Sequence, residues 1–78
     1  MKALVEYIAS SLVDDPSQVV VKQERSGSKV VLQLRVAKAD MGRIIGKNGK
    51  VANSIRILLR VAAAREGKQV SLDVIEPK

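Results

Sequence analysis

The sequence contains no cysteine, no histidine, no phenylalanine and no tryptophan. Each absence removes a class of chemistry. Without cysteine there is no disulfide framework, no thiolate metal site and no thiol nucleophile. Without histidine the usual neutral-pH general base and the commonest metal ligand are both missing. The single aromatic residue is Tyr7, so a binding surface built on stacked rings is excluded. Long apolar runs are missing too, and nothing approaches the length of a membrane span. Met1-Lys2-Ala3-Leu4 leads directly into an amphipathic stretch containing Glu6, unlike the apolar core and cleavage site of a secretory leader. The expectation is one domain, residues 1–78, in the cytoplasm, without cofactor, metal, small-molecule substrate or membrane contact. Ser, Lys and Asp are present, but no nucleophile–base pair or ligand spacing emerges, so the chain does not read as an enzyme.

What the chain does have is positive charge, and its placement is uneven. The net charge is +6 from 14 Lys and Arg against 8 Asp and Glu. Residues 1–37 contribute a net of +1, residues 38–68 a net of +6, and residues 69–78 a net of −1. A basic segment of this kind favours a polyanion partner, although a solvated surface has the same composition.

Periodicity supplies the elements. Met1, Leu4, Val5, Ile8 and Leu12 recur at helical spacing, which predicts a helix from Lys2 to Val13. Asp14-Asp15-Pro16 ends it, since the residue before proline avoids helical angles. Valine-rich Gln18 to Arg25 predicts a strand, and Ser26-Gly27-Ser28 a turn. Val30, Leu32, Leu34 and Val36 alternate with Val31, Gln33 and Arg35, as in a half-buried second strand. A short helix follows from Ala39 to Ile45, with Asp40 at its favourable N-terminal end. A long helix runs from Lys50 to Glu66 and is closed by Gly67. Val70, Leu72 and Val74 mark a last strand. The fold class is therefore α+β in the order α-β-β-α-α-β.

Between the two later helices lies Ile44-Ile45-Gly46-Lys47-Asn48-Gly49-Lys50. Two glycines bracket two polar residues, and the loop empties into a helix N-terminus, where free amides and the helix dipole favour an anion. Lys47 and Lys50 add charge at the same point. A plain helix-to-helix connection with a glycine cap would use the same residue types. The joint occurrence of the apolar pair, the glycines, the lysines and the order of elements is more specific. Together they resemble KH domains of the bacterial, type II arrangement, whose Gly-x-x-Gly loop clamps about four nucleotides.

The resemblance implies three helices on one face of a three-stranded mixed sheet. It also implies single-stranded RNA as ligand, with Gly46, Lys47, Asn48 and Gly49 on the sugar–phosphate backbone. Ile44 and Ile45 fall where the family lines an apolar groove under the bases, or, for one of the pair, in the core. Arg43 and Lys50 flank the loop, and Arg25 and Lys29 fall on the hairpin expected to form the opposite wall. Stand-alone bacterial members of the family imply a homodimer, or a heterodimer with a larger Jag-type KH protein.

On a helical wheel Val51, Ile55, Leu58, Leu59 and Ala62 form the expected core stripe of the long helix. Arg56 and Arg60 lie opposite and read as solvated. Ile57, Val61 and Ala64 form a third, apolar face, either covered by the first helix or forming the dimer contact. Two other functions remain open. A helix–turn–helix DNA binder would use Asn53, Arg56 and Arg60 on the long helix, and a dimerising adaptor would make no use of the basic segment.

Overall fold

A computed structural model describes residues 1–76. The elements are α1 (Lys2–Leu12), β1 (Val20–Ser26), β2 (Lys29–Arg35), α2 (Met41–Ile45), α3 (Lys50–Arg65) and β3 (Gln69–Ile75). Short 3-10 turns at Pro16–Gln18, Lys38–Asp40 and Lys47–Gly49 join them. The sheet order is β1-β2-β3, with β1 antiparallel and β3 parallel to β2. The α+β class, the element order and the mixed sheet expected from the sequence are all present.

The hairpin between β1 and β2 turns through Gly27 and Ser28. Ser26 pairs with Lys29, and Gly27 takes a φ of 60° at the first central position, which a side chain would resist. The alternation in β2 works as the period of two requires. Val30, Leu32 and Leu34 point to the helices and are buried with Val21 and Leu72 beside them. Val5 and Ala9 from α1, Ile44 from α2, and Ile55 and Leu59 from α3 close the core from above. The helix end at Gly67 is a Schellman motif. Gly67, at a φ of 67°, donates to the Ala64 carbonyl, and Lys68 donates to that of Ala63.

The α1 helix ends at Val13, whose backbone is extended. In the turn that follows, Ser17 and Gln18 donate to the Asp15 carboxylate; the Ser17 bond is the larger cause holding its pKa below the ordinary value.

Two expectations need correction. The short helix is split, with a 3-10 turn at Lys38–Asp40 before α2. Asp40 stands at the N-terminal end of α2 without a capping bond, its side chain turned inward and 2% exposed. The core stripe of α3 is Ala52, Ile55, Leu59 and Ala63, whereas Leu58 is 54% exposed. The wheel gives the spacing of the side chains but not which neighbours cover them.

Candidate nucleic-acid interface

The loop at residues 46–49 is shaped by three positive φ angles. Gly46 ends α2 at φ 73°, ψ 176°, a region open in practice only to glycine. Asn48 (φ 56°) and Gly49 (φ 75°) are left-handed, and asparagine is one of the few side chains that tolerate this. Gly46 is also crowded. A β-carbon there would lie 2.8 Å from Val51 Cβ and 2.9 Å from the Val51 amide nitrogen. The first glycine thus lets α2 and α3 meet, and the second starts α3.

Gly49 occupies the N-cap of α3, and no side chain caps the helix there. The N-terminal amides keep their attraction for an anion, and the exposed Lys47 and Lys50 stand beside them. Lys47 and Asn48 are exposed, so the two residues between the glycines face solvent.

A cleft leads away from the loop between α3 and β3. It is lined by Arg56, Leu59, Arg60, Val70, Ser71 and Leu72. Asn53 lies on α3 between the two regions. Its amide nitrogen lies 4.0 Å from where a β-carbon of Gly49 would be, and its Oδ1 accepts a bond from Arg56 Nη1 at 3.2 Å. Arg56 Nε then donates to the Leu72 carbonyl at 3.2 Å. Since β3 is an edge strand, this bond ties α3 to the border of the sheet. The loop, α3 and the cleft beside β3 together carry Lys47, Lys50, Arg56 and Arg60.

Sequence reasoning missed Arg56 in this role, because the bond to Leu72 depends on a parallel pairing that no local pattern announces. The like charge of Arg56 and Arg60 four residues apart was the available signal.

The other expected site residues fall in different places. Ile45 is 40% exposed next to the loop, but Ile44 is 0% exposed and belongs to the core, so its side chain cannot line a groove. Arg43 is turned from the loop. Its Nη2 donates to Asp14 Oδ2 at 2.9 Å, and its Nε lies 3.6 Å from Asp40 Oδ1. Arg25 and Lys29 are at the wrong end of the molecule. Lys29 pairs with Gln69, just beyond the end of α3, whereas the loop precedes the start of α3. At 1.5 Å per residue α3 is roughly 24 Å long, so the hairpin cannot wall the groove at the loop. Tyr7 is exposed on α1.

Ile57, Leu58 and Val61 are each more than half exposed, so α1 does not cover this face. Instead Met1, at the N-cap of α1, and Leu4 border an open, largely apolar groove with Leu58, Val61 and Ala62, closed at one end by Arg65 and Glu66. Of the expected interface residues, Val61 lines it, whereas Ile57 and Ala64 are exposed outside it. Among the described residues no helix is long and apolar enough to cross a membrane, and no group of acidic side chains is arranged to hold a metal.

The order of elements, the mixed sheet and the glycine-bracketed loop between α2 and α3 define a KH fold. Residues 2–74 match the family model described as KhpA/KhpB, KH domain, and the chain belongs to that family. It is 44% identical over 75 residues to the RNA-binding protein KhpA of Clostridium acetobutylicum, covering 96% of this chain and 100% of that one. It is 40% identical over 78 residues to the RNA-binding protein KhpA of Chlamydia trachomatis, covering the whole of both. Among solved structures, Era in complex with MgGDPNP and a 16S ribosomal RNA segment superposes with a TM-score of 0.57 at 22% identity. The match covers 94% of this chain and 28% of Era, and it shows a shared fold. The family is one of non-enzymatic RNA-binding proteins.

Proposed function

We propose that this protein holds single-stranded RNA, without catalysis, along the path from the Gly46–Gly49 loop to the border of β3. The observation that carries this reading is the basic cleft between α3 and β3, where Asn53 and the Leu72 carbonyl hold Arg56, on the same helix whose N-terminal amides are left uncapped. The sugar–phosphate backbone passes over Lys47, Asn48 and the uncapped amides. Bases lie toward Ile45 and the cleft, where aliphatic packing and backbone groups replace aromatic stacking. Affinity of one domain is accordingly modest, and sequence preference loose. The relatives' name, RNA-binding protein KhpA, supports the ligand class.

The apolar groove between α1 and α3 serves as a protein contact, with a second copy or a larger Jag-type KH protein as occupant. Two linked weak sites gain affinity through effective concentration, without any new RNA contact. A helix–turn–helix reading is disfavoured by Arg56, which is occupied by Asn53 and Leu72 and is not free to reach into a major groove. The outward face of α3 is also apolar at Ile57, Leu58 and Val61, where a recognition helix needs polar side chains.

The deciding experiment is a fluorescence-anisotropy titration of the full chain with single-stranded RNA and with duplex DNA of the same length. Preference for the single-stranded RNA is expected. Equal or tighter binding of the duplex overturns the reading.

A further inference from the structure

Asp40 is the buried charged side chain of this domain among the described residues. Burying a carboxylate is costly unless its oxygens find partners. Here both do. Oδ1 accepts the Asp14 amide at 3.0 Å, and Oδ2 accepts the Asp15 amide at 3.2 Å. Arg43, one turn along α2, completes a triangle. Its Nε is 3.6 Å from Asp40 Oδ1, and its Nη2 donates to the Asp14 carboxylate at 2.9 Å. The three residues join the exit of α1 to the entrance of α2.

α2 is five residues long, well below the length at which a helix is stable by itself. Its orientation must come from tertiary contacts. At its C-terminal end Ile44 is sunk in the core and Gly46 abuts Val51. At its N-terminal end Met41 packs against the core, and the Asp40 triangle supplies the directional, hydrogen-bonded anchor. The loop at residues 46–49 begins where α2 ends, so a tilt of this short helix moves the glycine turn directly.

We infer that Asp40 is a positioning residue for the Gly46–Gly49 loop, and that Arg43 acts through Asp40 and Asp14 without touching the ligand. The inference builds on the RNA-binding reading but concerns residues outside the RNA path. Asp40→Asn keeps the size of the side chain and removes the charge and one acceptor oxygen.

Two measurements on the full chain test it. The first is the amide spectrum of the free protein, which needs no ligand. In Asp40→Asn the amides of Gly46, Lys47, Asn48 and Gly49 are expected to shift, although Asp40 touches none of them. The second is binding of a short mixed-sequence single-stranded RNA at a temperature where circular dichroism shows the variant fully folded. Affinity is expected to fall by about three- to tenfold, as for mutations acting through a coupled element. The salt dependence should keep its slope, because no phosphate contact is lost. A merely structural clamp lowers thermal stability but leaves the loop amides and the affinity of the folded protein in place, and that result overturns the inference.

If Asp40→Asn does not fold, Arg43→Gln on the exposed side of the triangle carries both readouts. Loop amides that shift at constant salt slope support positioning. Unmoved amides with a slope shallower by about 0.7 mean that Arg43 meets a phosphate, and the inference fails. Loop shifts in a protein whose wild type binds no RNA retire the RNA reading and leave the link between Asp40 and the loop standing.

Discussion

Gly46 lies against Val51 so closely that a β-carbon at position 46 would fall 2.8 Å from Val51 Cβ. The two glycines of the loop are therefore unequal. Gly46 combines a glycine-only backbone conformation with this crowding, whereas Gly49 is left-handed and a β-carbon there would meet only the Asn53 amide nitrogen, at 4.0 Å. Gly46→Ala should destabilise the fold by about 2–4 kcal/mol, from backbone strain and overpacking together. Gly49→Ala should cost about 1–2 kcal/mol, and Gly49→Asn less. In a domain of this size each kcal/mol lowers Tm by roughly 4–8 °C. Thermal unfolding of the three variants checks the order.

Lys47 and Asn48 point away from the core. Replacing both with Asp should weaken binding of single-stranded RNA by more than about tenfold, since two acidic groups would face the phosphates. Stability should change by no more than about 0.5 kcal/mol, the usual range for exposed positions. Unchanged affinity in the folded double variant would remove the loop from the RNA path.

The two basic regions are predicted to separate in their response to salt. Contact with two or three phosphates gives log affinity a slope of roughly −1.4 to −2.1 against log salt for a single strand. Arg56→Gln should make it shallower by about 0.7. It should also cost about 1 kcal/mol of stability, because the Leu72 carbonyl loses its partner. Arg60→Gln should affect the slope alone. The double replacement of Arg25 and Lys29 by Gln should leave the slope as it is, since both sit by the hairpin at the far end of α3. Titrations at several salt concentrations distinguish these cases.

Self-association should depend on the groove between α1 and α3. Val61→Asp and Leu58→Asp both put a charge on its exposed apolar wall, so each should yield a folded monomer. Burying an unpaired carboxylate in such a contact costs several kcal/mol, enough to dissociate a weak dimer. Sedimentation of the wild type and both variants is the measurement. A wild type that stays monomeric at high concentration rules out the homodimer, and mixing with a Jag-type KH protein then tests the heterodimer.

Much of the fold is written in local patterns. The alternation from Val30 to Val36 specifies which face of β2 is buried, and Gly67 specifies where α3 ends. The glycine-bracketed loop can be found for the same reason, since its conformation is set by the residues within it. Features that depend on distant partners are not legible in this way. Nothing near Asp40 indicates that its carboxylate will meet the amides of Asp14 and Asp15. The exposure of Leu58 and burial of Ala63 follow from which face of α3 is laid on the sheet. The positions of Arg25 and Lys29 follow from the parallel register of β3 on β2, which carries the hairpin away from the loop.

The bond from Arg56 to Leu72 has a further consequence for how this sheet meets other chains. A three-stranded sheet has two open margins, and an unpaired margin is a template on which another strand can polymerise. Along β1 that margin is studded with Lys22, Glu24 and Arg25. Along β3 the guanidinium of Arg56 occupies the Leu72 carbonyl, with Arg60 beside it. A foreign strand would have to evict one arginine and bury another to dock there. Both margins are thereby guarded against strand addition, and apart from Val20 on β1 the large exposed apolar side chains lie on the helices, where contact does not propagate from strand to strand.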